Sequence, residues 1–376
     1  MKQSIIRVKL LVWLFILILA GTLTACDMPG NANSGQSSPT LAVVNPPSNP
    51  PSNAGNPTTT PMQNSIGVGG VNPSQGDHVL FVEPEDGNTP VVGAINAAKN
   101  SVEMKMYLLT ERDVIAALKA AQQRGIKVRV MLEEHPYGSG PGNTENYKTF
   151  QSSGIEVKWT NPVFKLSHEK SLVVDDKAAL IMTLNLTHSA FISNREYGII
   201  TTKPAEVKEV LDGFNADWNR NAFNPADSSP LLWSNLNSRK KILAFIDGSQ
   251  KTLILEQEEM QDSEVQQHLI DAAKRGVKVR VLVAGSTGSE SSGGDYNKPG
   301  EQQIQAGGVQ VKTIAVPYMH AKIYLADGNR VIICSENVST SSLNNNRELG
   351  IIVSDSEIVK RVAQTFEKDW VGGKAV

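Results

Sequence analysis

HEKSLVVDD, residues 168–176, contains a histidine, a lysine two residues later and an aspartate seven residues after the histidine. The same pattern returns downstream as HAKIYLAD, residues 320–327. The apolar and β-branched residues in both stretches predict β-strands. Side chains two apart on a strand share a face, so we expect the histidine and lysine of each copy to lie side by side.

The aspartates are predicted to have a structural role. Asp175 and Asp327 each stand an odd number of residues after the histidine, so an unbroken strand turns them to the opposite face. From there they cannot touch a phosphate held by the histidine and lysine. We expect them to brace the strand or a neighbouring backbone amide.

Two further pairs of polar residues follow the motifs at matched distances. Asn185 and Asn337 stand 17 residues after their histidines and can donate amide hydrogen bonds to a phosphoryl oxygen. Glu196 and Glu348 stand 28 residues after the histidine of their own half. A carboxylate beside an imidazole fixes its tautomer and stabilises its charged form, so these glutamates are candidate orienting partners.

The rest of the chain repeats with the same period. The equivalent glycines Gly125 and Gly276 lie 151 residues apart, and the segments 194–200 and 346–352 (NREYGII and NRELGII) lie 152 apart. A long-period duplication with alternating strands and helices predicts an α/β fold of two similar modules, each a mixed β-sheet flanked by helices. We place the modules at residues 78–222 and 230–372.

Local patterns predict the elements that carry this repeat. In the first module we expect a strand over residues 101–107, a helix over 113–124 capped by Asp113, and a strand over 126–132. In the second module we expect a helix over residues 263–275 and a strand over 277–283.

The N-terminus predicts export and anchoring. Basic residues precede an apolar run at 10–20, and the ending Leu23-Thr-Ala-Cys26 resembles a bacterial lipobox. We therefore predict a signal peptide at residues 1–25, lipidation of Cys26, and an exported lipoprotein tethered to the extracytoplasmic face of a membrane. Residues 26–77, rich in Pro, Asn and Ser, are expected to form a disordered tether.

The charge balance bears on the class of substrate. Removal of the leader takes three basic residues from the 36 Lys and Arg, leaving 33 against 38 Asp and Glu, or about −5. Proteins that track nucleic acids usually have a basic groove. Metal-ligand spacing is absent from the sequence, so neither a metal nor another cofactor is expected.

The duplicated His-x-Lys-x4-Asp, followed by Asn and then by Asn-x-Glu, resembles the signature of the phospholipase D superfamily over nearly all of residues 78–372. The resemblance implies that the modules face each other across a pseudo-twofold axis, with both motifs in one cleft at their interface. It also implies a monomer that is an internal pseudo-dimer.

The resemblance further implies a two-step displacement at phosphorus without a metal. His168 is expected to attack and form a phosphohistidine, while His320 protonates the leaving alcohol and then activates water or an alcohol. A second group is expected to hold the phosphoryl oxygens: Lys170, Lys322, Asn185, Asn337, Thr183 and Ser335. Thr183 and Ser335 stand where the family often has Gly-Ser, with Met182 and Cys334 in place of the glycines.

Three functions are compatible with these residues. Hydrolysis or transphosphatidylation of glycerophospholipids fits a membrane-tethered enzyme best. A metal-independent nuclease of the same superfamily is the alternative, and the charge balance disfavours it. A non-enzymatic module that binds phosphate head groups would not need two His–Glu pairs.

Overall fold

The computed structural model describes residues 76–137, 141–285 and 296–376. The predicted signal peptide at 1–25 and Cys26 lie outside the described residues, as does nearly all of the predicted tether at 26–77. All described residues belong to one compact unit, Met62–Val376.

The first module contains seven strands and five helices within the part of the chain that the structure describes. In chain order they are β1 (His78–Glu83), α1 (Thr89–Ala97), β2 (Ser101–Met106), α2 (Arg112–Gln123), β3 (Lys127–Leu132), α3 (Thr144–Ser152), β4 (Glu156–Trp159), β5 (Ser171–Val174), β6 (Ala178–Met182), α4 (His188–Ile192), β7 (Asn194–Thr201) and α5 (Pro204–Asn219). The strand order in its sheet is β1-β7-β6-β5-β2-β3-β4.

The second module repeats this organisation. Its elements are β8 (Leu231–Trp233), α6 (Ser238–Asp247), β9 (Thr252–Gln257), α7 (Ser263–Lys274), β10 (Lys278–Ala284), α8 (Lys298–Ala306), β11 (Gln310–Ile314), β12 (Tyr318–Met319), β13 (Lys322–Ala326), β14 (Arg330–Cys334), α9 (Thr340–Asn344), β15 (Leu349–Val353), α10 (Ser356–Gly372) and β16 (Lys374–Ala375). The sheet order β8-β15-β14-β13-β9-β10-β11-β16 matches that of the first sheet strand for strand, with β16 added at the edge. The predicted fold class, two similar α/β modules with mixed sheets, is therefore confirmed.

Residue type explains where the predicted helices begin and end. Helix α2 buries Val114, Leu118 and Ala121 on one side, and Gly125 after it takes a left-handed φ of 84°. Gly276 has the same role after α7, with a φ of 92°. The predicted cap of α2 was wrong by two residues: Glu111 precedes the helix, and its carboxylate accepts the backbone N–H of Asp113.

The two sheets share an apolar core because alternate residues of each strand face opposite sides. In β5, Leu172 and Val174 pack beneath the helices of the first module. Val173 instead packs with Ile323 and Leu325 of β13, in a cluster that draws on both sheets. The modules are thus joined by a buried hydrophobic interface.

Short backbone pairings reinforce this interface reciprocally. In β12, Met319 pairs in parallel with Arg195 of β7, and Ser167 pairs in parallel with Arg347. The residue before each His-x-Lys motif therefore pairs with the Asn-Arg-Glu segment of the other module, which relates the modules by a pseudo-twofold. No helix in the described part of the chain is long and apolar enough to cross a lipid bilayer.

Candidate active site

Both predicted motifs open into one cleft of about 640 Å³. Four of the predicted site residues line it: His168, His320, Asn185 and Asn337. Tyr107, Tyr137, Glu258 and Glu259 line it as well. Residues that stand about 150 apart in the sequence thus converge in space.

Each histidine is paired with a glutamate of the other module. His168 Nδ1 lies 2.9 Å from Glu348 Oε2, and His320 Nδ1 lies 2.7 Å from Glu196 Oε1. Sequence spacing had associated each glutamate with the histidine of its own half, and that association was wrong. Neither imidazole has its orienting carboxylate until the two modules dock.

The reason is the reciprocal strand pairing at the interface. The backbone N–H of His168 donates to the carbonyl of Arg347 at 2.8 Å, directly before Glu348. The backbone N–H of His320 donates to the carbonyl of Arg195 at 3.3 Å, directly before Glu196. Each Asn-Arg-Glu segment therefore reaches across the interface as one unit.

Thr183 and Ser335 hold these glutamates and do not face the cleft. Thr183 Oγ1 donates to Glu196 Oε2 at 2.6 Å, and Ser335 Oγ donates to Glu348 Oε2 at 2.7 Å. Each hydroxyl oxygen also accepts a backbone N–H, and both residues are fully buried. The expected phosphate-binding role of these two hydroxyls was wrong, because their hydrogen bonds are already used to fix the carboxylates.

The two lysines, Lys170 and Lys322, are buried and are not among the residues that line the cleft. Each Nζ donates to the carbonyl of the histidine two residues before it, at 2.6 Å. The ammonium of Lys170 also lies 4.9 Å from the centre of the Tyr107 ring, whereas that of Lys322 donates to Glu258 Oε2 at 2.7 Å. Burial, opposed by neighbouring carboxylates, lowers the pKa of Lys170 to about 7.

Asn185 and Asn337 lie where an oxyanion could be contacted. Their Oδ1 atoms are buried and find no hydrogen-bond partner among the residues described. Asn337 Nδ2 donates to Glu259 Oε1 at 3.2 Å. That the amides bind a phosphoryl oxygen remains a prediction.

Asp175 and Asp327 brace backbone amides at the far end of the motif strands. Asp175 accepts the N–H groups of residues 99–101, at 2.6 to 3.1 Å, and Asp327 accepts those of residues 250–252 in the same way. Both aspartates lie beyond their strands, with left-handed φ values of 55° and 51°. The turn, rather than strand parity, directs them away from the cleft.

The surroundings of His168 favour its neutral form. Burial lowers the pKa of the His168 imidazole, and the nearby ammonium of Lys170 acts in the same direction. Burial alone would raise the pKa of the Glu348 carboxyl, but His168 and Lys170 hold it below its ordinary value. A neutral imidazole is thus held through Nδ1 by an ionised glutamate.

Sequence reasoning missed Tyr107 and Glu258. They stand 151 residues apart, each directly after the equivalent strands β2 and β9, so alignment of the two halves could have identified them. The Tyr107 ring contacts that of His168 edge to face, with 4.6 Å between centroids. Glu258 Oε2 lies 3.4 Å from His320 Nε2. The same place in the cleft is therefore aromatic in one half and acidic in the other.

Comparison with known proteins places both halves of the chain in one family. Residues 91–218 and 242–370 each match the family described as cardiolipin synthase, PLD-like domain. The two matches cover more than half of the chain, and the protein belongs to this phospholipase D-like family. The chain is 24% identical over 336 residues to cardiolipin synthase B of Escherichia coli strain K12. This alignment covers 75% of this chain and 77% of that protein.

More distant similarities extend over less sequence or show the fold alone. The chain is 29% identical over 145 residues to phospholipase D of Rickettsia felis, covering 38% of this chain and 68% of that protein. The structure of phosphatidylserine synthase from Haemophilus influenzae Rd KW20 aligns with a TM-score of 0.60 at 12% identity, over 80% of this chain and 87% of that one. Polyphosphate kinase from Porphyromonas gingivalis aligns with a TM-score of 0.60 at 20% identity, over 77% of this chain but 46% of the kinase.

The pKa directions predict a narrow pH optimum. We expect kcat/KM to rise with pH as His168 loses its proton, with a midpoint below 6.5 because its pKa is lowered from that value. It should fall again above about pH 7, where Lys170 loses the charge that would hold the phosphate. Initial rates on a soluble phosphodiester across pH 4–10 check this. A plateau that continued to pH 9 would contradict it.

Proposed function

We propose that this protein is a phospholipase D-type enzyme that transfers the phosphatidyl group of a glycerophospholipid to water or an alcohol. The observation that carries the proposal is the meeting of two imidazoles in one cleft, each oriented through Nδ1 by a buried glutamate. This arrangement leaves both Nε2 atoms for chemistry on one phosphorus atom.

The reaction proceeds in two displacements. In the first, His168 Nε2 bonds to phosphorus, the bond to the leaving alcohol breaks, and His320 Nε2 gives its proton to that oxygen. In the second, the acceptor oxygen gives its proton to His320 and bonds to phosphorus, and the phosphorus–nitrogen bond to His168 breaks. Lys170 and the two asparagine amides offset the charge on the phosphoryl oxygens.

Acidic residues in the cleft favour a lipid over a nucleic acid. Glu258 and Glu259 both line it, in addition to the glutamates that hold the histidines. A polyanion would bring further phosphates against these carboxylates, whereas a phospholipid brings one phosphodiester. The names of the relatives, cardiolipin synthase B and phospholipase D, point to the same substrate class.

Exposed apolar side chains next to the cleft fit a lipid surface. Tyr137, itself in the cleft wall, is 90% exposed, and Val163, two residues before Lys165 of the same wall, is 74% exposed. In the second module Val316 is 86% exposed, and it stands two residues before Tyr318, which contacts Glu258. These side chains could enter the interfacial region of a bilayer while the cleft receives a head group. The predicted lipidation of Cys26 would keep this face near its substrate.

One assay separates the candidate functions. The full chain is incubated, in excess chelator, with phosphatidylcholine vesicles plus ethanol and separately with single-stranded DNA. Formation of phosphatidylethanol is the expected result, since ethanol competes with water for the phosphohistidine. Cleavage of DNA without phosphatidylethanol would identify a nuclease, and inactivity on both would leave a head-group-binding module.

The exposed apolar side chains next to the cleft give a second test of the proposed lipid substrate. Val163→Asp combined with Val316→Asp is expected to lower turnover of vesicle phospholipid about tenfold or more, because two side chains lose their apolar contact with lipid. Turnover of a monomeric short-chain phospholipid should be unchanged. Val371→Asp is the matched control, since Val371 is 82% exposed on α10 and does not line the cleft. Equal losses on both substrates would contradict the proposal that Val163 and Val316 contact the membrane.

A further inference from the structure

The two halves of the cleft differ in one charged group. Glu258, after β9, and Tyr107, after β2, occupy equivalent places. Glu258 Oε2 lies 2.7 Å from Lys322 Nζ and 3.4 Å from His320 Nε2. In the other half, the Tyr107 ring packs edge to face against His168 and lies under the Lys170 ammonium. The histidine and lysine of one half therefore face a carboxylate, whereas those of the other half face an aromatic ring.

We propose that Glu258 is a positioning residue that keeps the proton on His320 and so makes the two chemically identical histidines unequal. The inference rests on the proposed function, in which one imidazole must begin neutral and the other protonated. Glu258 supplies the charge that decides which is which: His320 begins as the acid and His168 as the nucleophile.

The surroundings of the two imidazoles support this division. His320 faces two carboxylates, Glu196 at Nδ1 and Glu258 at Nε2, with the ammonium of Lys322 beside them. His168 faces one carboxylate, Glu348, together with the ammonium of Lys170 and the ring of Tyr107. An opposite charge within about 4–6 Å favours the charged form of a group. Among the residues described, only His320 of these two has a carboxylate within 4 Å of its Nε2.

The carboxylate is itself ionised in this environment. Burial alone would raise the pKa of Glu258, but His320 and Lys322 hold it well below its ordinary value. The distance of 3.4 Å to His320 Nε2 is long for a strong hydrogen bond. The Nε2 proton can therefore pass to the leaving oxygen while Glu258 remains on Lys322.

The position of Glu258 also assigns different tasks to the two lysines. The Lys322 ammonium is already bonded to Glu258, whereas Lys170 donates to a backbone carbonyl and faces a neutral ring. A phosphoryl oxygen thus meets less competition on the His168 side of the cleft. This asymmetry favours approach of the phosphorus to His168, consistent with attack from that side.

The test follows the imidazole protons directly by nitrogen NMR of the full chain labelled at histidine. The chain has 6 histidines, and His168→Asn and His320→Asn assign the two signals. On raising the pH from 5 to 8, we expect His168 to lose its proton before His320. In Glu258→Gln, which keeps the shape and removes the charge, the signals of the two imidazoles should respond to pH more alike. Glu259→Gln, the adjacent acid, should leave that order unchanged.

A second readout follows the covalent intermediate. Quenching in alkaline denaturant, which preserves the phosphorus–nitrogen bond, during turnover of a labelled phosphodiester should place the phosphoryl group on the peptide containing His168, and in Glu258→Gln a fraction should appear on His320. Loss of the proton from His320 first, or no response to Glu258→Gln, would overturn the inference whatever the activity. If the protons leave in the expected order and Glu258→Gln changes how the two imidazoles respond to pH, but no turnover is found, the proposed reaction is refuted and the effect of Glu258 still stands.

Discussion

Replacement of His168 by alanine is expected to lower kcat on a phospholipid by about 10³-fold or more. The variant loses the atom that bonds to phosphorus, so both covalent catalysis and the oriented proton transfer are removed. Glu348 keeps hydrogen bonds from Ser335, Ser342 and Asn346, so the site is expected to keep its structure in the variant. Steady-state rates together with thermal unfolding of each protein measure the effect.

The control for this variant is another histidine with a carboxylate partner. His268 Nδ1 lies 2.7 Å from Asp247 Oδ1 and does not line the cleft, so His268→Ala should retain activity. A loss of less than tenfold in His168→Ala, with the fold intact, would exclude His168 as the nucleophile.

Removal of Asp217 is expected to have the largest effect on stability. Asp217, at the end of α5, accepts from Lys105 Nζ at 2.6 Å and from two nitrogens of Arg347 at 2.9 and 3.0 Å. All three groups are buried, and the bonds to Arg347 join the two modules. Asp217→Ala leaves a buried guanidinium without its carboxylate, and breaking a buried pair in this way costs about 3–5 kcal/mol. Urea unfolding, with the midpoint compared at unchanged slope, measures the free energy of unfolding.

The duplicated chain supplies a matched comparison. Asp369 binds Arg195 as Asp217 binds Arg347, but Arg195 also bonds Glu85 and the carbonyl of Glu83. Asp369→Ala is therefore expected to destabilise less than Asp217→Ala, since its arginine keeps a carboxylate. A loss below 1 kcal/mol for Asp217→Ala, or a greater loss for Asp369→Ala, would contradict this account of the interface.

Much of the fold follows from patterns that a single chain displays. The duplicated period is visible when the two halves of the sequence are compared. The glycines after α2 and α7 and the alternation in β5 are local signals, because they depend on backbone conformation and on which face of an element is apolar. The prediction that His168 and Lys170 lie together rests on two residues of one strand. Such predictions need no knowledge of how the modules dock.

The site itself required contacts between the modules. Spacing could not show that Glu348 serves His168, because the partners are 180 residues apart and meet through the interface. It also could not show that Thr183 has no hydrogen left for a phosphate, since its hydroxyl is committed to Glu196. These errors share one cause: hydrogen-bonding capacity is divided among neighbours that only the folded molecule brings together.

By itself, then, the sequence determined that the protein has two equivalent modules and which imidazole, ammonium and amide groups each contributes. Only the tertiary structure decided that the glutamates cross over, that two hydroxyls are used for bracing, and that Glu258 breaks the equivalence of the halves. The physical reason is that identical strand patterns specify identical local geometry, whereas charge in the cleft depends on every group that converges there.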